Sequence, residues 1–334
     1  MRPTPYRAVL IGCGKIGSEF SDDPGSSGKG VCTHAAAFTA CPDTELIAVC
    51  DADFVKAERC QKRWSATRAY QDPTRLLAEQ TAEIVSVCTP DVTHYSLIRA
   101  AILTEGVKAV LAEKPLATSL GEAEDLVRLA DERGILLAVN YSRRFIAQFA
   151  EIAEYLRGGE LGKVVLVRGL YTKGTVHNGS HWFDLFRFLF GDVEYVCAFD
   201  RLREGRGDPT LDVQLETVDG VRGELSALTS GCFTVFEMDI LAERGRIQIT
   251  QSGDVVEFFE ATEGVPFAGY RGLIARKDHR GVLVDVILHA VRDVVRCLQE
   301  KRRSRCSGSD AVAALRVALA AHESAKTGKP ITVE

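Results

Sequence analysis

Short apolar runs alternate with amphipathic stretches over the first 140 residues. The apolar runs fall at residues 7–11, 45–50, 84–89, 107–111 and 135–140. They are short enough for strands and predominantly apolar, as strands buried on both faces are. Between them, helical periodicity appears at 53–64, 73–80, 94–104 and 119–134. Ser119 with Glu122 three residues on forms a capping box, and Gly134 closes that helix. Strands alternating with helices predict an α/β domain with a parallel, doubly wound sheet.

The texture changes after Tyr141-Ser142-Arg143-Arg144-Phe145. One helix pattern covers 147–157. Strand-like runs then follow at 164–171, 194–199, 211–217, 223–228, 234–241, 246–251 and 254–260. Turns such as Asp219-Gly220 and Ser252-Gly253 join some of them, which suits antiparallel pairing. Two helices, 282–300 and 310–327, end the chain. The pattern predicts two domains. Residues 1–140 form the α/β domain, and 141–334 form an α+β domain on one large, open, mainly antiparallel sheet.

Composition narrows the partners. The chain is 46% hydrophobic and 26% charged with a net charge of −5, so no global basic field draws it to nucleic acid. The one dense basic run, Lys301-Arg302-Arg303 with Arg305, follows an apolar helix and complements its C-terminal dipole. No run of eighteen apolar residues predicts a membrane span. The N-terminus carries no hydrophobic signal core. The ten cysteines are scattered without a Cys-x-x-Cys pair, so a reducing cytoplasm is expected.

The candidate chemistry starts at Gly12, Cys13, Gly14, Lys15, Ile16 and Gly17, a G-x-G-x-x-G that follows the first strand and is expected to open a helix. Glycines there allow a tight turn, backbone approach to a pyrophosphate, and close helix–strand packing. Asp51 ends the second strand, where an acid accepts from adenosine ribose hydroxyls. No arginine follows it directly, so NAD is favoured over NADP. The long spacing from Gly17 to Asp51 is explained by a loop at 21–30, inserted in the first crossover. Gly28-Lys29 lacks the Ser or Thr of a Walker loop, and the segment reads as a surface loop or a flap near the cofactor.

Lys114 follows the fourth strand. A lysine there is costly unless paired or used, and strand carboxyl ends are where α/β sheets bind ligands. In the second domain, His181 and Asp184 share a helix face at i and i+3. Asn178 or Ser180 is expected to cap that helix. Capping with a satisfied histidine is the purely structural alternative. His177 and His181 lack a third ligand at suitable spacing and the Glu of His-Glu-x-x-His, so no metal is expected. His34 and His94 stand at helix starts, where packing suits them, although either could reach a cofactor.

Together these residues resemble the Gfo/Idh/MocA oxidoreductases, the group with glucose–fructose oxidoreductase and inositol dehydrogenase. The likeness rests on Gly12–Gly17, Asp51, Thr89-Pro90 with His94, Glu113-Lys114-Pro115, Arg143-Arg144-Phe145, His181 with Asp184, and Glu323 to Lys329. It implies a Rossmann domain and an α+β domain whose open sheet mediates a homodimer or homotetramer. It implies NAD binding by the glycine loop, Asp51, Thr89, Pro90, His94, Glu113 and Lys114, with nicotinamide at the interdomain cleft. It also implies Lys114 and His181 as the catalytic pair, with Asp184 supporting them. Many members carry Asp four residues before the histidine, where this chain has His177.

The resemblance further implies hydride transfer between nicotinamide and a secondary alcohol or ketone of a polyol, sugar or nucleotide sugar. His181 would move the hydroxyl proton and Lys114 would stabilise the developing alkoxide. Arg143, Tyr171, Lys173, His177 and Asn178 are candidate substrate contacts. Two rival readings remain. One is a glycoside-cleaving enzyme that oxidises its substrate transiently on bound NAD. The other is a non-catalytic sensor of NAD and sugar.

Overall fold

The computed structural model describes residues 4–23, 28–204, 207–229, 231 and 233–333. Part of the 21–30 loop, residues 24–27, and Cys232 lie outside them. The elements run β1 (Tyr6–Ile11), α1 (His34–Ala40), β2 (Thr44–Cys50), α2 (Phe54–Trp64), β3 (Arg68–Tyr70), α3 (Pro73–Glu79), β4 (Ile84–Val87), α4 (His94–Leu103), β5 (Ala109–Ala112), α5 (Leu120–Arg133) and β6 (Leu136–Val139). Then come α6 (Ala147–Arg157), β7 (Val164–Tyr171), α7 (Ser180–Phe190), β8 (Val193–Phe199), β9 (Asp212–Thr217), β10 (Arg222–Ala227), β11 (Phe236–Ala242), β12 (Gly245–Thr250), β13 (Val255–Glu263) and β14 (Arg271–Arg280). The chain closes with α8 (Val286–Glu300), α9 (Gly308–Thr327) and β15 (Ile331–Thr332).

Two compact units result. The first holds residues 1–145 and 284–312, the second 146–283 and 313–334. The division is therefore not one cut near residue 140. The returning segment is bound into the first unit by specific contacts. Val139 N donates to Cys306 O at 3.1 Å, and buried Arg144 Nη1 meets Asp310 Oδ1 at 2.9 Å. Asp285 Oδ1 accepts from Val31 N at 2.8 Å.

In the first unit the sheet order is β3-β2-β1-β4-β5-β6, and every pair is parallel. β4 and β5 are buried along their whole length, which explains their unbroken apolar runs. The order reverses between β1 and β4. At such a switch point the two crossovers leave in opposite directions and open a crevice at the strand carboxyl ends.

In the second unit the order is β14-β13-β12-β11-β7-β10-β9-β8-β15. All of its pairs are antiparallel except β10 with β7, which is parallel. Strands such as β12 alternate buried and half-buried residues, so one face carries the core. α7 supplies much of that core through Trp182, Phe183, Phe186 and Leu189, all buried. Gly169 on β7 admits the Trp182 indole, whose Nε1 a Cβ there would strike. Trp182 Nε1 instead donates to Glu237 O at 3.2 Å, which fixes the first turn of α7 on the sheet. Among the described residues, no helix is long and apolar enough to cross a membrane.

Candidate active site

The glycine loop is built by close approach. Gly12 has φ +99°, and a Cβ on it would lie 2.5 Å from Cys88 O, at the end of β4. A Cβ on Gly17 would collide with Gly12 O. One on Gly14 would meet nothing within 4 Å. Two glycines thus pack the turn against the sheet, and the third leaves open space above the backbone. That distribution fits a pyrophosphate laid over Gly14. Lys15 is exposed and Ile16 half-buried, while Cys13 is buried with Sγ 3.5 Å from Cys50 O.

The helix expected directly after the loop is interrupted. Residues 15–18 form a turn, with Ser18 N donating to Gly14 O, and a 3-10 turn follows at Glu19–Asp22. α1 starts only at His34, and its first amides return to the turn: His34 N to Ile16 O at 3.1 Å, Ala35 N to Gly17 O at 2.9 Å. The inserted loop therefore bulges from a helix whose first turn and body remain spliced together. Thr33 caps the body by accepting from Ala36 N.

Asp51 stands half-buried just beyond β2. Its Oδ2 accepts from Cys13 N at 2.8 Å and its Oδ1 from Asp53 N at 2.9 Å. The acid is thereby fixed beside the glycine loop, as a ribose-binding carboxylate requires.

Glu113 and His94 are both engaged in hydrogen bonds within the protein. The Glu113 side chain is buried, and its Oε1 meets His34 Nε2 at 3.0 Å and Asn140 Nδ2 at 2.6 Å. Its Oε2 accepts from Lys114 N at 3.3 Å, and His34 Nδ1 reaches Ser86 Oγ at 2.8 Å. This network joins α1, β4 and the ends of β5 and β6. Burial disfavours charge on His34. The Cys88 sulfur and the Glu113 carboxylate outweigh burial and push the imidazole up to about 10. Burial likewise opposes ionisation of Glu113, but His34, Asn140 and Lys114 together hold it below the ordinary carboxylate range. His94 is fully buried, with Nδ1 2.7 Å from Pro115 O and Nε2 2.8 Å from Thr89 O. It ties the segment after β4 to the segment after β5. Thr89 is half-buried and Pro90 exposed at that same sheet end. Lys114, half-buried, continues directly from the Glu113 network.

In the second unit, the run into α7 is a π-helical turn, Thr175–Gly179, preceded by two left-handed residues, Lys173 (φ +67°) and Gly174 (φ +83°). The expected side-chain cap is absent. Gly179 occupies the cap position, Asn178 Nδ2 donates to Thr172 O at 2.9 Å, and Ser180 Oγ is buried without a hydrogen-bond partner. The π turn enters the helix without a break, so the capping geometry never forms. Tyr171 is spent on internal hydrogen bonds. It is fully buried, and its hydroxyl is 2.9 Å from Thr175 Oγ1, donates to Leu211 O and accepts from Leu211 N. Burial pushes that phenol up, with Thr175 and Leu211 opposing. Lys173 and His177 are exposed, His181 is half-buried and Asp184 is buried. Arg143 is half-buried in the 3-10 turn Ser142–Phe145 of the first unit.

Asp208 adds a group that no sequence motif contains. Its Oδ1 accepts from Val176 N at 2.9 Å and its Oδ2 from His177 N at 2.8 Å, while His322 Nε2 lies 3.1 Å from Oδ1. Burial pushes this carboxyl up, but His322 and the two amides outweigh burial and hold it below its ordinary value. Asp208 lies beside no motif, so no local signal marks it.

Both parts of the chain are similar to known proteins. Residues 6–141 match the model of an oxidoreductase family with an NAD-binding Rossmann fold, and residues 172–333 match its C-terminal alpha/beta domain. Inositol 2-dehydrogenase of Mycolicibacterium smegmatis is 27% identical over 312 residues, covering 84% of this chain and 87% of that protein. D-glucoside 3-dehydrogenase of Escherichia coli is 24% identical over 215 residues, covering 61% of this chain. That match spans only 57% of the Escherichia coli protein's length. In fold, the chain resembles the WlbA dehydrogenase from Bordetella pertussis in complex with NADH and UDP-GlcNAcA. The TM-score is 0.78 at 20% identity, with 99% of this chain and 99% of that one covered.

Proposed function

The chain belongs to the Gfo/Idh/MocA oxidoreductase family, and from that premise we propose that it is an NAD-dependent dehydrogenase of a secondary alcohol on a sugar, nucleotide sugar or cyclitol. The observation that carries the reading is the carboxyl end of the first sheet. There the open cradle at Gly14, the fixed Asp51 carboxylate and the strand-end Lys114 share one edge of the fold. The glycine loop would hold the cofactor's pyrophosphate and Asp51 its adenosine ribose. Bound NAD supplies a two-electron hydride acceptor.

The remaining work falls to this chain's own groups. Lys114 would donate a hydrogen bond to the substrate oxygen and stabilise its charge as the hydroxyl proton leaves. His181 would take that proton in oxidation and return it in reduction. Asp184, buried one helical turn away, would support the imidazole. Arg143, Lys173 and His177 are the candidates for substrate hydroxyls. Asn178, whose amide is committed to Thr172 O, would act by shaping the turn. The open face of the nine-stranded sheet has a cavity of about 480 Å³ whose lining includes Arg168, Glu224, Glu237 and Asp239. It is the surface through which a homodimer or homotetramer would form. A reducing cytoplasm suits the nine described cysteines, all free thiols.

The reading is tested with a panel of inositols, free aldoses, glucosides and nucleotide sugars offered with NAD and NADP. Absorbance of the reduced cofactor is followed and glycoside cleavage is assayed in parallel. The expected result is NADH accumulation with one class. Cleavage without net NADH would replace this reading with transient oxidation, and tight NADH binding without either reaction would make the chain a sensor.

Asp51 has its own expected outcome. Hydrogen bonds to a charged group contribute about 1.5–3 kcal/mol. Asp51→Ala should therefore weaken NADH binding about 10- to 100-fold in a fluorescence titration. NADPH, whose 2′-phosphate the carboxylate repels, should lose much less. Equal losses for both cofactors would remove Asp51 from the ribose site.

A further inference from the structure

Asp208, which neither the motifs nor the proposed mechanism uses, connects the turn before α7 with α9. The turn it holds is unusual. Lys173 is a non-glycine residue at φ +67°, followed by Gly174 at φ +83°, then by the π turn that leads into His181. Left-handed backbone at a residue with a Cβ costs about 1–2 kcal/mol and persists only where its surroundings over-determine it. The surroundings here are residues 208–211, which bond nearly every group of the turn. Thr210 Oγ1 accepts from Gly174 N at 2.9 Å, and Pro209 O accepts from Thr175 N at 3.0 Å and from Thr175 Oγ1 at 2.6 Å. Asp208 takes the next two amides, Val176 and His177, with one carboxylate oxygen each. Gly174 is required for this, because a Cβ on it would collide with Asp208 Oδ2. The outer side of the carboxylate is closed by His322 Nε2 from α9.

We propose that Asp208, held by His322, is a positioning residue for the acid–base segment: its carboxylate fixes the Val176 and His177 amides so that the π turn aims His177 and sets the first turn of α7 that carries His181. Two successive amides on one carboxylate make a charge-assisted anion nest, stronger than a neutral turn bond. His181 lies four positions after His177, so a shift of the nest passes directly into the helix start. A misplacement of about 1 Å at a reacting group can lower turnover about a hundredfold. This inference rests on the reading of His181 as the proton carrier.

The test uses full-length protein with isotope-labelled histidine, its seven side chains assigned by single substitutions. Asp208→Asn keeps the shape but replaces one acceptor by a donor facing an amide. It should move the imidazole resonances of both His177 and His181. It should also lower kcat about 10- to 100-fold on the substrate found in the panel, with NADH affinity unchanged. His322→Gln should shift the same two resonances by less. Glu151→Gln, which breaks the separate Glu151–His279 pair at 2.9 Å, should move only His279. Folded Asp208→Asn with unmoved His177 and His181 resonances overturns the proposal. If Asp208→Asn does not fold, His322→Gln decides by the same criterion. The parent reading fails separately: His181→Asn would then keep its turnover while Asp208→Asn still moved both resonances.

Discussion

A Lys114→Ala variant is expected to lose about a hundred- to a thousandfold in kcat with the alcohol substrate that the proposed function calls for, equivalent to about 3–4 kcal/mol of transition-state stabilisation. The size follows from where the ammonium would act. Charge develops on the substrate oxygen as its proton leaves, and a fixed donor in a partly water-excluded site stabilises that charge far more than bulk water does. Lys114 is half-buried and follows Glu113, whose carboxylate is anchored to His34 and Asn140. Its backbone is therefore held by β4, β5, β6 and α1 together before any ligand arrives. Lys114→Arg should not restore turnover, because a planar fork replaces a point charge. NADH affinity, read by fluorescence, should change little beside the loss in kcat. Full turnover in Lys114→Ala would end the assignment of this residue to chemistry.

The second large effect is on stability. Removing one partner of a buried, hydrogen-bonded charge pair costs about 3–5 kcal/mol, because the other charge is left uncompensated. His34→Leu removes the charged hydrogen-bond partner of the buried Glu113 carboxylate and leaves it Asn140, a backbone amide and the neighbouring Lys114 charge, so the first unit should melt about 10 °C earlier. His34, raised against burial first by Cys88 and then by Glu113, also gives a pH signature. His34 is raised from 6.5 in the unfolded chain to about 10 in the fold. The folded state then binds the proton more tightly, and its contribution is complete below about pH 6.5. It is lost as pH rises through about 10. Thermal melts of the wild type should fall across that window, while His34→Leu should show no such decline there. Parallel melting curves for the two proteins between pH 6.5 and 10 would show that His34 carries no proton in the fold.

Much of the first unit was legible because its signals are local. A fully buried strand must be apolar throughout, so β1, β2, β4, β5 and β6 stood out as runs. β3, three residues long, was too short to show a period. In the second unit, β14 is an edge strand with mostly exposed residues, rich in Arg and Lys, and it carries no apolar alternation to mark it. β15, two residues long, pairs with β8 at the opposite edge and gave no pattern either. Nor could alternation reveal that β10 runs parallel to β7, since side-chain period is the same in both senses.

The site divides in the same way. Gly12, Gly14 and Gly17 carry their meaning in their spacing, and Asp51 and Lys114 in their place at strand ends. Those positions are set by covalent order, so the sequence by itself determined them, along with the two-part architecture and the family. Tertiary structure decided which polar groups are spent inside the protein. Glu113 meets His34 across 79 residues, His94 spans two strand-end segments, Tyr171 is locked to Leu211, and Asp208 holds amides 31 and 32 residues away. A buried polar side chain must find its partner wherever the fold brings one, and that partner need leave no trace in neighbouring sequence. Whether a polar residue near the site faces a ligand or another part of the chain was therefore a question only the packed structure could answer.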